Sequence, residues 1–69
     1  MVSRIAVNVH PVLDRTTGAM LQKSLLALPG VKKVSVIYPD RVEVQYDDAR
    51  MRASNVLTVL RARGLSASL

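Results

Sequence analysis

Sixty-nine residues suffice for one small domain, and a chain of that length buries only about 60% of the surface its unfolded form exposes. Apolar residues make up 49% of it, enough for a single core, yet the only aromatic side chains are Tyr38 and Tyr46, so branched aliphatics must fill that core. The absence of cysteine excludes disulfides, thiolate metal sites and cysteine nucleophiles. The net charge of +5 comes from basic residues dispersed along the chain, a surface that steers acidic proteins, nucleic acid or anionic lipid, or that simply keeps the domain soluble.

From Ser3 to Val9, Ile5, Val7 and Val9 alternate with Arg4, Ala6 and Asn8, and a period of two predicts a half-buried strand. The loop "HPVLDRTTGAM" follows, and then a helix is predicted over Thr17 to Leu28. Leu21, Leu25 and Leu28 share its apolar stripe, Thr16 or Thr17 can cap it, and Asp14 faces its positive end. Pro29-Gly30 stops this helix, because proline cannot continue it and glycine accepts a left-handed conformation. "VKKVSVIY" and "RVEVQY" alternate around the turn Pro39-Asp40, predicting an antiparallel hairpin with Val34, Val36, Tyr38, Val42, Val44 and Tyr46 inward. A second helix is predicted from Arg52 to Arg63, with Val56, Leu57 and Leu60 buried and Met51 and Ala53 close by. Gly64 ends it, and "LSASL" reads as a short last edge strand. The order β-α-β-β-α-β predicts an α+β, ferredoxin-like sandwich: a four-stranded antiparallel sheet with two helices on one face and solvent on the other.

"LLALPGVKKVSV", "VEVQYDD" and "VLTVLRARGL" together resemble the heavy-metal-associated domain of copper chaperones and P-type metal ATPases. Leu25, Leu28, Pro29, Gly30, Val31, Val34, Val36, Val44, Tyr46, Asp47, Leu60, Gly64 and Leu65 fall in step with that family's pattern across nearly the whole chain. The resemblance implies the same fold, a link to metal transport, and a first loop of the form G-M-x-C-x-x-C. Counted back from Leu28-Pro29-Gly30-Val31, the glycine falls at Pro11, the methionine at Val12 and the cysteines at Asp14 and Thr17. Val12 is then expected to pin the loop to the core. The soft thiolates that select and exchange monovalent copper are gone, so copper transfer does not carry over.

Residues 1–69 are read as one such domain, standing alone or as a soluble part of a larger protein. No apolar run approaches the roughly 20 residues of a membrane span, and "MVSRIAVNV" lacks the regions of a signal peptide, so a cytoplasmic location is expected, including as the cytosolic part of a membrane protein. The favoured function is a cysteine-less docking or regulatory module, with Arg15 and Lys23 on helix one and Arg61 and Arg63 on helix two facing an acidic partner. The first alternative is a divalent metal such as zinc or nickel held by His10 and Asp14, although a structural zinc site needs about four ligands and a catalytic one about three. The second is weak nucleic-acid binding on the open sheet, disfavoured because the outward positions carry no aromatic on which bases could stack. Catalysis has no support, with a single histidine and no pair of carboxylates placed to divide acid and base roles. Self-association through edge strands is the remaining expectation, since Ser66 to Leu69 is too short to protect its edge.

Overall fold

The computed structural model covers residues 1–69 and contains β1 (Val2–His10), α1 (Arg15–Leu26), β2 (Val31–Ile37), β3 (Arg41–Asp47), α2 (Ala53–Ala62) and β4 (Ser66–Ser68). The strands form one antiparallel sheet in the order β2-β3-β1-β4, which is the ferredoxin-like arrangement expected from the element order. Val7 and Val9 of β1, Val34 of β2, and Val42, Val44 and Tyr46 of β3 point from the sheet into the core. Leu21 and Leu25 of α1 and Val56 and Leu60 of α2 close over them. Each fully buried aliphatic side chain of this kind contributes about 1.5–3 kcal/mol of transfer free energy, which the ordering of the chain largely offsets.

Both helices are a turn or less from their expected bounds, and each shift has a local cause. The first begins at Arg15 rather than Thr17, because Asp14 is its N-cap: Thr17 N donates to the Asp14 carboxylate at 2.7 Å. Neither Thr16 nor Thr17 serves as the cap. It ends at Leu26 rather than Leu28, where Leu28 N turns back to Leu25 O and tightens the last turn. Gly30 and Gly64 follow the two helices at φ 96 and 85, the left-handed region where a side chain would be strained. The second helix runs Ala53–Ala62, with Arg52 N capped by the Asn55 side chain. Met51 is buried beneath its start, while Leu57 is only half-buried.

Tyr38 keeps the inward side of the hairpin but is 46% exposed rather than buried. Strand β2 has ended at Ile37, so the ring lies beyond the sheet and rests on the first turns of α1 instead of entering the core.

Candidate functional site

The end of the sheet where β1 finishes gathers the first loop, the β2–β3 turn and the start of α1. Val9 N donates to Asp40 O at 2.8 Å, and Leu13 N donates to Pro39 O, so the hairpin turn is tied to the loop along its length. Leu13 then drops into the core, 5% exposed, while Val12 stands out at 64%. The pin of this loop is therefore Leu13, not Val12. The expected residue and the observed one differ by one place, because two consecutive aliphatics after a proline offer no pattern that says which turns inward.

That single place matters for the expected ligand positions. Counted back from the end of α1 they are Asp14 and Thr17; counted forward from the buried apolar pin they are Arg15 and Gly18. In the first case the two positions are already joined by the N-cap hydrogen bond. In the second, one is an exposed cation and the other has no side chain. The Tyr38 ring covers Gly18 so closely that a Cβ there would overlap the phenol oxygen. Neither pair offers a soft donor, so the residues present do not fit a thiolate-bound copper ion.

His10 is the last residue of β1 and follows the outward alternation of Asn8, so its ring belongs to the solvent face of the sheet. Asp14 is exposed at the helix terminus, and its carboxylate is held below the usual carboxylate range, first by the backbone amide of Thr17 and then by the Thr17 hydroxyl. No group of three His, Cys, Asp or Glu side chains converges anywhere in the chain.

The four cations expected at a docking face are all exposed, and they differ in freedom. Arg15 opens α1, where a positive charge opposes the helix dipole and no acidic residue in the first turn offsets it. Lys23 lies in the last turn of α1, a favourable place for a cation. Arg61 donates to Ala67 O at 3.2 Å and so ties α2 to β4. Arg63, just past α2, donates to Ser24 Oγ of α1 at 2.7 Å and bridges the two helices. The only ion pairs in the molecule join the N-terminal amine to Asp47 and Asp48. Asp48 is lowered by Ser3 Oγ, which donates to it at 2.7 Å, and then by that amine. None of the ten Lys and Arg side chains has a carboxylate partner.

No family model and no curated protein matches the chain. Solved structures do. The oxidized MerP of Ralstonia metallidurans CH34 superposes with a TM-score of 0.88 at 19% identity, covering 99% of this chain and 96% of that one. The CopZ metallochaperone gives 0.88 at 22% identity over 96% of this chain and 100% of that one. A copper binding domain from HMA7, a P-type ATPase, gives 0.86 at 21% identity over 94% and 89%. The fold is that of the heavy-metal-associated domains. Helix and strand order, sheet topology and nearly full mutual coverage agree with it, and the chain departs from it by having no cysteine. No helix is long and apolar enough to cross a membrane.

Proposed function

We propose that this chain is a non-catalytic domain of metal homeostasis that docks to an acidic protein surface and does not itself carry copper. The observation that supports it most is that none of the ten Lys and Arg side chains meets a carboxylate, against five acidic residues of which one caps a helix and two meet the N-terminal amine. Exposed charge without a counter-charge acts on encounter rate and salt dependence with a partner. Arg15, Lys23, Arg61 and Arg63 are the cations of this face, and Arg15 sits there against its own helix dipole. The likeness in fold to MerP, CopZ and the HMA7 domain is what ties the reading to metal transport rather than to some other use of the sandwich. Residues 1–69 act as one unit, free-standing or as a soluble part of a larger cytoplasmic or membrane-anchored protein.

The test is a titration of the isotope-labelled chain with a domain of this fold whose helix face is acidic. Lys23→Glu and Lys23→Glu/Arg61→Glu should weaken binding by about tenfold or more at low ionic strength, with the wild-type affinity itself falling as salt rises. Unchanged affinity in both variants would end the proposal.

A further inference from the structure

Strand β2 lies in mid-chain between α1 and β3, yet it is an edge of the sheet, and its outer side has no strand neighbour. The direction of its backbone groups can be read from one bond. Asp47 N donates to Gly30 O, so Asp47 addresses β2, and by alternation along β3 so do Gln45, Glu43 and Arg41. Their register partners Lys33, Ser35 and Ile37 spend N–H and C=O on β3. Val34 and Val36, which fall between them, are left with both groups aimed outward.

The flank of α1 beside this edge follows from helical spacing. Leu21 and Leu25 enter the core, and Ser24 meets Arg63 on the side of α2. Arg15, Ala19, Gln22 and Leu26 recur at three and four residues on the opposite flank, and all four are exposed. Because α1 packs on β2 and α2 on β4, that flank looks over the outer side of β2. A strand laid there meets Leu26 and the half-buried Val36 on the helix side, and Lys33, Ser35 and the exposed Ile37 on the open face.

The charge of this border has one sign. Together α1 and β2 hold Arg15, Lys23, Lys32 and Lys33 and no carboxylate, although five acidic residues stand elsewhere in the chain. Lysine on an edge strand, with the register irregularity between Val31 and Lys33, discourages pairing with a like edge. A second copy would bring the same cations and no anion. The same lysines favour a strand that carries carboxylates.

We propose that the outer edge of β2 takes an extended acidic segment of a partner protein as a further strand of the sheet. The N–H and C=O groups of Val34 and Val36 supply the pairing. Apolar residues of the segment pack beside Val36 and Leu26, and carboxylates alternate with them to meet Lys33 on the open face. The inference rests on the reading that the partner is acidic, and adds the place and form of the contact.

The probe is a peptide of about eight residues alternating glutamate with valine, titrated to about 1 mM into the isotope-labelled full chain at low ionic strength. Saturable shifts centred on residues 32–37 are expected, with slower amide exchange at Val34 and Val36. The same peptide N-methylated along its backbone should not bind, since it cannot donate to the edge. Lys33→Glu should weaken binding about tenfold or more. Val36→Pro removes an N–H that points only outward, leaves the bonds of β2 to β3 in place, and should abolish binding. If that variant fails to fold, Lys33→Glu and the N-methylated peptide decide the matter. No shift at β2 by about 1 mM would overturn the proposal. So would binding that the N-methylated peptide retains, which would reduce the contact to charge alone, or self-association of the free chain through β2, which would give the edge to a second copy. The docking reading fails separately, on the response of an acidic domain to Lys23→Glu and Arg61→Glu.

Discussion

Truncating Leu13 to alanine should destabilise the domain by about 3 kcal/mol, whereas truncating Val12 should cost less than about 0.5 kcal/mol. Leu13 is 5% exposed and belongs to the continuous core with Val7, Leu21 and Leu25, while Val12 is 64% exposed. Removing three buried carbons forfeits about 0.8 kcal/mol each in transfer, and the cavity adds to that loss. The site lies at the rim, under a loop held by the Leu13–Pro39 backbone bond, so partial collapse should keep the total near the lower end of measured Leu→Ala costs. A domain of this size has about 3–10 kcal/mol of stability in all, so L13A is expected to be marginal, with a Tm lower by about 10–20 °C. Urea and thermal melts of both variants followed by circular dichroism give the comparison. Equal losses, or a loss below about 1 kcal/mol for L13A, would show that Leu13 is not the residue that fastens the loop.

Asp14→Asn keeps an N-cap acceptor and should leave α1 intact, while Asp14→Ala should fray its first turn, seen as faster amide exchange at Thr17. The Asp14 pKa is depressed in the folded state, so its contribution is present above the unfolded carboxylate pKa and is lost as pH falls through the folded one. The gap between wild type and D14A should accordingly narrow at acid pH, and a gap that stayed constant through the carboxylate titration would refute a charged cap. Gly18→Ala alone requires the half-exposed end of the Tyr38 ring to swing aside, so it should fall short of the full helix-propensity gain of alanine over glycine. In a Tyr38→Ala background the same change should instead stabilise by up to about 1 kcal/mol, the helix-propensity difference between alanine and glycine. Strict additivity in that double-mutant cycle would mean that the ring does not rest on Gly18.

The strands, the hairpin and the positions of both helices were legible because alternation and the i, i+4 stripe are set by the need of each element to bury one side. Val42, Val44 and Tyr46, or Leu21 and Leu25, announce themselves in that way. The resemblance in sequence to heavy-metal-associated domains also led to the right fold. What escaped the reading is local and irregular. Asp14 rather than a threonine caps α1, since several good caps stood within four residues and only the backbone path chooses among them. Leu13 rather than Val12 fills the core for a similar reason. Tyr38 on Gly18 joins residues from different elements, and no period in the chain predicts it; a glycine within an otherwise good helix was its one visible trace. His10 and Asp14 looked like neighbours in sequence, but strand alternation sends the first to the open sheet and the helix terminus occupies the second.

Metal binding separates a docking module from a carrier most directly. Zinc, nickel, cobalt and monovalent copper can each be titrated into the isotope-labelled chain while the His10 ring and the amides of residues 10–18 are followed by NMR. A docking module without soft ligands predicts no saturable shift at one equivalent of any ion. A one-to-one, saturable movement of the His10 ring together with the Asp14 and Thr17 amides would contradict it, and would make the first loop a metal site with hard ligands.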